Sequence, residues 1–123
     1  MKKVLSLLAI FSFMTVLAQT DTRVEFSKLT HSFGKIKQHT PVSTEFVFTN
    51  KTDKALIVQD ATAECGCTTP EFPKTPIAKG KTGVIKVTYN AENPGTFTKK
   101  VTVQFLNIKD PVILTIDGEV IEE

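Results

Sequence analysis

Beyond residue 18 the sequence lacks any apolar run long enough to cross a membrane, which takes roughly 20 residues. The one sustained apolar stretch, from Val4 to Leu17, is too short as well, and it follows the basic pair Lys2 and Lys3. A basic start, a short apolar segment and a small residue at Ala18 are the pattern of a cleaved secretory signal. We therefore predict a signal peptide over residues 1–18 and an exported chain, in the periplasm or the cell exterior, without a membrane span.

An excess of charge of one sign is lacking too. Without Lys2 and Lys3, 13 basic residues remain against 13 acidic ones. Proteins that bind nucleic acid or anionic lipid usually carry a basic surplus, so we predict neither partner. Residues 19–123 are close to the commonest size of one domain, and we predict a single domain over that range.

Residues that could form a catalytic centre are few. After residue 18 the serines are Ser27, Ser32 and Ser43, none of which lies in a GxSxG turn, and the histidines are His31 and His39. Ser32 follows His31 directly, but neighbouring residues in a strand face opposite sides. No glycine-rich phosphate loop occurs, and the acidic residues are scattered over polar positions. The sequence therefore predicts a protein that is not an enzyme and has no cofactor.

What the sequence does contain is alternation, because apolar residues recur at every second position. This is the period of a strand with one buried face, and no stretch shows a sustained helical stripe. The clearest runs are Val42 to Phe48, Ile85 to Tyr89, Phe97 to Phe105 and Val112 to Val120. Shorter extended pieces begin at Val24, Phe33 and Leu56. Pro70, Pro73 and Pro76 predict an extended connection and exclude a central strand between them.

About seven short strands separated by turn signals are typical of an immunoglobulin-like sandwich, so we predict an all-β fold of that kind. The landmarks of antibody domains are missing, because the chain has no tryptophan and its two cysteines are close neighbours. We therefore expect phenylalanine, valine, isoleucine and leucine to form the core alone.

The run Cys65-Gly66-Cys67 is the one constellation that packing does not explain. Residues i and i+2 of a flat strand are about 6.6 Å apart, so a Cys65–Cys67 disulfide needs a tight turn, which Gly66 permits. Such a bond closes a tiny loop and adds little stability, and labile disulfides tend to be regulatory or catalytic. We take the loop formed by Cys65, Gly66, Cys67 and Thr68 as the candidate functional end of the molecule.

Two other interpretations of the cysteine pair stay open. Two thiolates could hold a soft metal, copper(I) or zinc, with His31 or His39 as a third ligand, although a closed zinc site needs four. The second interpretation is a redox role or an intermolecular disulfide, although the spacing of the cysteines is not the CxxC of thioredoxin-like proteins. A lone histidine is more often a packed or edge residue than a ligand, which is the interpretation we favour for His31. Asn50-Lys51-Thr52 matches a glycosylation sequon but is adequately explained as a turn.

Several runs resemble a known bacterial family. They are His31-Ser32-Phe33-Gly34-Lys35-Ile36, Phe46-Val47-Phe48-Thr49-Asn50, Cys65-Gly66-Cys67-Thr68-Thr69-Pro70, Gly83 to Asn90, Gly95-Thr96-Phe97 and Ile116 to Val120. Together they resemble the family called domain of unknown function 1573, which is similar to the immunoglobulin-like domains of major sperm protein and the Hydin group. The resemblance implies a sandwich that binds or assembles proteins, and it supplies no catalytic residues. Ser32 departs from the family motif, which often has Asp before Phe-Gly.

Two functions are therefore expected. The first is a binding or scaffold module in the bacterial cell envelope, with an unidentified protein partner, which uses a strand edge or the end of the domain that carries Cys65 and Cys67. Exposed strand edges also leave self-association open. The second is a thiol-based protein that binds copper or zinc or takes part in redox chemistry.

Overall fold

The computed structural model describes residues 23–122, and the predicted signal peptide lies outside them. These residues form eight strands. In chain order they are β1 (Val24–Phe26), β2 (Thr30–Lys37), β3 (Val42–Asn50), β4 (Val58–Ala63), β5 (Thr68–Glu71), β6 (Thr82–Tyr89), β7 (Gly95–Phe105) and β8 (Val112–Ile121).

The strands form two four-stranded sheets. The first sheet has the order β1-β3-β6-β5, and the second has the order β2-β8-β7-β4. All pairs are antiparallel except β2 with β8, which is parallel. The prediction of an all-β sandwich is confirmed, with one strand more than the seven or so that were expected.

The additional strand is β5, which contains Pro70. It pairs with β6 only and occupies an edge of the first sheet. An edge is where a strand tolerates a proline, because only one side of it is hydrogen-bonded to the sheet. The exclusion of a central strand at Pro70 is therefore confirmed, but the expected connection over Pro70, Pro73 and Pro76 begins only after Glu71.

The alternating residues face a single core between the sheets. The four strands with the clearest alternation contribute its largest fully buried apolar members: Phe46, Phe48, Ile85, Val87, Val101, Val103, Phe105, Leu114 and Ile116. The Phe48 ring lies 5.5 Å from Phe26 and 5.3 Å from Phe105, and Tyr89 stacks on Phe97 at 3.9 Å between ring centroids. Aromatic contacts from both sheets therefore take the place of the tryptophan and the inter-sheet disulfide that this chain lacks.

Gly83 makes room for a ring of the core. It lies opposite Phe48 in the β3–β6 pair, and the ring of Phe48 covers it. A Cβ atom at this position would lie only 2.8 Å from Cε1 of Phe48. The absence of a side chain at Gly83 therefore allows the central phenylalanine to lie flat in the core.

Gly83→Ala should destabilise the fold by about 1–3 kcal/mol, because overpacking forces a core ring off its rotamer. Gly66→Ala is the matched control, since an added Cβ at Gly66 meets no atom within 4 Å and the backbone there is not left-handed. Urea unfolding of the two variants measures the difference. Equal midpoints for both would contradict the packing described for Phe48.

Candidate functional site

The cysteine run lies where the chain passes from one sheet to the other. Strand β4 ends in the second sheet at Ala63, and β5 begins in the first sheet at Thr68. Within this crossing Cys65 and Cys67 form a disulfide, with their Cα atoms 5.3 Å apart. That separation is within the usual range for a disulfide and is shorter than the extended spacing. The structure therefore contains the local disulfide, and in this state the sulfurs offer no thiolate to copper or zinc.

Thr68 connects the disulfide to the interior. Its side chain is buried, and its Oγ1 lies 3.5 Å from Sγ of Cys67 and 4.0 Å from Sγ of Cys65. Cys67 packs against the hydrophobic core, whereas Cys65 is not among the described residues that do so. Both cysteines are half-buried, so their surroundings differ in the core contact of Cys67 rather than in burial.

Gly66 is not needed for the conformation of this turn. Its φ angle is outside the left-handed region, and its surroundings are open. Glycine permits this turn, as expected from the sequence, but the turn does not require it.

The disulfide belongs to an end of the sandwich whose loops are tied together. Asn90 N donates to Cys67 O at 3.0 Å, and His39 N donates to Ala91 O at 2.8 Å. His39 and Ala91 have left-handed φ angles of 65° and 56°, which non-glycine residues adopt at a cost. We call this part of the molecule the disulfide end; it comprises residues 38–41, 64–67 and 90–94.

His31 is not part of that end. It lies in β2, at the opposite edge of the second sheet from β4, so that three strand spacings, about 14 Å, separate the two edges. Its Nδ1 is 2.9 Å from Nζ of Lys28, which also donates to Thr44 Oγ1, and its ring lies edge-on to Phe33. Because an ammonium group can only donate, Nδ1 is the acceptor and Nε2 carries the proton. His31 is thus a half-buried residue of an edge strand, which is the interpretation we favoured, and the structure does not bring it beside Cys65 and Cys67 as a third ligand.

His39 lies at the disulfide end and is exposed. Among residues 23–122 no three His, Cys, Asp or Glu side chains lie close enough to hold a metal ion. Within the same range no helix is long and apolar enough to span a membrane.

The strand edges of the first sheet are short. β1 has three residues, and β5 has four, one of which is Pro70. Short edges and prolines are devices by which sheets prevent pairing with other chains.

The edges of the second sheet are interrupted instead. β2 has a register shift between Ser32 and Lys35, followed by the exposed Lys35 and Lys37. β4 has a register shift between Val58 and Asp60, and the N–H of Ala61 donates to the Asp60 carboxylate. All four edges thus carry features that oppose strand addition, which disfavours the edge as a binding site or as a route to self-association.

A cleft that was not predicted from the sequence lies at the opposite end of the sandwich. It is open to solvent and has a volume of about 560 Å³. Its lining comes from the start of β1 and from the β3–β4 and β7–β8 loops: Arg23, Thr52, Asp53, Lys54, Ala55, Leu56, Leu106, Asn107 and Ile108. We call this the cleft end.

Asn50 holds one wall of the cleft in place. Its side chain is fully buried, and its Nδ2 donates to the carbonyl oxygens of Lys54 and Ile77 at 2.8 and 2.9 Å. Its Oδ1 accepts from N and Oγ1 of Thr52. A buried amide with these four bonds is not available for glycosylation, so the match of Asn50-Lys51-Thr52 to a sequon is coincidental. The residues do form a turn, and the buried amide of Asn50 organises it.

Asn50→Ala should destabilise the protein by roughly 2–4 kcal/mol, because it leaves buried carbonyl and N–H groups without a partner. Asn93→Ala, at an exposed loop position, is the control and should change little. Thermal unfolding of both variants checks this. If Asn50→Ala lowered the free energy of unfolding by less than about 0.5 kcal/mol, water would be replacing the hydrogen bonds of the amide.

Stability should fall as the pH drops below about 6.5, the ordinary pKa of histidine. Burial lowers the pKa of His31, the positive charge of Lys28 lowers it further, and Asp117 opposes both. The unfolded chain therefore binds this proton at a higher pH than the folded chain, so the stabilisation present above pH 6.5 is lost on acidification. His31→Asn should weaken this dependence between pH 7 and 5, and His39→Asn should keep it. Equal slopes of unfolding free energy against pH for the wild type and His31→Asn would contradict the assignment.

Two comparisons bear on the family. The model of the family described as protein of unknown function (DUF1573) matches residues 24–120, which is most of the chain. No curated protein matches the chain.

Solved structures bear on the fold. A protein of unknown function from Porphyromonas gingivalis W83 superposes with a TM-score of 0.67 at 13% identity, covering 78% of this chain and 46% of that one. The chain thus spans less than half the length of that protein. The ASH/PapD-like domain 7 of human CEP192 has a TM-score of 0.67 at 11% identity, covering 94% and 97% of the two chains. The VesB protease of Vibrio cholerae has a TM-score of 0.62 at 14% identity, covering 80% of this chain and 32% of the protease.

At these identities the likenesses show the fold alone, and the near-complete match to a PapD-like domain confirms an immunoglobulin-like sandwich. The match over residues 24–120 also confirms the resemblance that the His31 to Ile36 and Cys65 to Pro70 runs indicated. The chain belongs to the DUF1573 family of proteins of unknown function.

Proposed function

We propose that this protein is an exported, non-enzymatic binding module that holds a partner protein at its cleft end. The observation that carries the proposal is a pair of exposed apolar side chains beside the cleft, Ile57 at 36% exposure and Leu106 at 41%. Leu106 N donates to Ile57 O at 2.9 Å, which holds the two residues side by side.

The cleft end has the composition of a protein interface. Such interfaces place apolar side chains at their centre and polar ones around them. Here Leu106 lies among Arg23, Asp53 and Lys54 in the cleft lining. A partner that places an apolar side chain against Ile57 and Leu106, with charged groups facing this mixed rim, fits this surface.

The cleft end is also rigid, which lowers the entropy lost on binding. Asn107 has a left-handed φ angle of 65°, and Gln104 Nε2 donates to the carbonyl oxygens of Phe105 and Ile108. Asn50 fixes the facing loop through Lys54. Both walls are therefore held by hydrogen bonds within the domain.

Export is supported by the signal pattern of residues 1–18 and by the disulfide. Disulfides persist in oxidising compartments such as the periplasm and are rare in the cytosol. A non-enzymatic role is supported by the second sheet, where His31 is half-buried on one face of β2 and Ser32 is exposed on the other. The thiol-based alternative comprises metal binding and redox chemistry. The disulfide between Cys65 and Cys67 supports redox chemistry rather than metal binding.

A photo-reactive amino acid at Leu106 or Asp53 should crosslink one and the same protein in native cells. The same probe at Lys86, on the outer face of the first sheet, or at Glu92, at the disulfide end, should not capture it. Adding Leu106→Asp to the Asp53 probe should lower the adduct by about tenfold, since central apolar contacts contribute over 1 kcal/mol to binding. Mass spectrometry of the adducts and the melting temperature of each variant are the measurements.

Three outcomes would overturn the proposal. One is an adduct of similar yield at all four positions, which indicates random collision. The second is an adduct from Glu92 alone, which assigns binding to the disulfide end. The third is no adduct from either cleft position.

A further inference from the structure

We infer that the Cys65–Cys67 disulfide is a thiol–disulfide exchange site, which accepts two electrons from a pair of thiols on an exported protein. In this exchange Cys65 is the sulfur attacked and Cys67 is the leaving group. The site lies at the opposite end of the sandwich from the cleft, so the inference does not depend on partner binding there.

The bond contributes little to holding the fold. It closes a loop between residues only two apart, and the entropy gained from a crosslink is small for so short a loop. The core forms from Phe46, Val87, Val103 and their neighbours in both sheets, without a crosslink between the sheets. A disulfide that is dispensable for folding can open and close while the domain stays folded.

The two sulfurs differ in their contact with the core. Both cysteines are half-buried, but Cys67 packs against the core and Cys65 is not among the described residues that do so. An incoming thiolate must approach in line with the S–S bond from the side of the sulfur that it attacks. The core covers one side of Cys67 and has no such contact with Cys65, which favours attack on Cys65.

The two sulfurs also differ as leaving groups. The hydroxyl of Thr68 lies 3.5 Å from Sγ of Cys67 and 4.0 Å from Sγ of Cys65. Because Thr68 is buried, its hydroxyl is held at this position. A hydroxyl that donates to a forming thiolate stabilises it, and a leaving thiol of lower pKa departs faster. Thr68 therefore favours cleavage with the electron pair on Cys67.

The exchange balances as follows. A substrate thiolate attacks Sγ of Cys65 and forms a mixed disulfide, and the Cys65–Cys67 bond breaks with its electron pair moving to Sγ of Cys67. The substrate's second thiolate then attacks its own sulfur in the mixed disulfide, and that bond breaks with its pair moving to Sγ of Cys65. The substrate leaves as a disulfide, and both cysteines take up protons from water. One dithiol is oxidised and one protein disulfide is reduced.

The sulfur that is attacked can be identified by mass spectrometry. The purified oxidised protein is mixed briefly with reduced glutathione, quenched in acid, alkylated and digested. Mass spectrometry should find glutathione on Cys65 and the alkyl group on Cys67 in a large majority of the mixed disulfides. Glutathione mainly on Cys67, or no mixed disulfide under conditions where the protein stays folded, would overturn the inference.

The role of Thr68 is tested by the rate of reduction with dithiothreitol, followed by alkylation at timed intervals. Thr68→Val keeps the shape and removes the hydroxyl, and should slow reduction between about threefold and tenfold. Thr68→Ser keeps the hydroxyl and should restore most of the rate. If Thr68 had only a structural role, the reduction rates of both variants would change in step with their melting temperatures. That result would refute the assignment, and so would an unchanged reduction rate in Thr68→Val.

Discussion

The whole molecule depends on the apolar contact between the inner faces of its two sheets. Phe48 contacts Phe26 from its own sheet and Phe105 from the other, while Tyr89 stacks on Phe97 across the interior. Burial of aromatic and aliphatic side chains is the main favourable term in a domain of this size. Because strand residues alternate between faces, this contact also sets the register of each strand and so the position of every loop.

With the interior closed and the edges protected, the two ends of the sandwich remain for function. At one end Asn50 organises a polar and apolar cleft around Leu106. At the other, three loops are tied together around a disulfide that the core does not need. The two ends differ in chemistry, so binding at one and redox exchange at the other can proceed on the same rigid domain.

Much of the fold could be predicted from the sequence, because strict alternation in β3, β6, β7 and β8 is a local signal. β5 was missed because Pro70 opposes a strand anywhere except at an edge, and the sequence does not say where the edges are. The strand expected to start at Leu56 begins instead at Val58, while Leu56 pairs in isolation with Ile77.

The sites were less accessible to sequence reasoning. The cysteine run stands out in the sequence, but the position of Thr68 beneath it is a property of the folded corner. The cleft joins loops that are far apart in the chain, although a signal was present. Leu56 with Ile57, and Phe105 with Leu106, are adjacent apolar pairs that break the alternation, so one member of each pair must face outward. Ile57 and Leu106 are those members.

The apolar interior alone holds this domain, so that both ends are free to function. Amide hydrogen exchange on the oxidised and the reduced protein tests it most directly. We expect β3, β6, β7 and β8 to keep their slow exchange after reduction, while exchange speeds up only near residues 64–71 and 90–94. Loss of protection throughout these four strands on reduction would show that the disulfide, rather than the interior, maintains the fold.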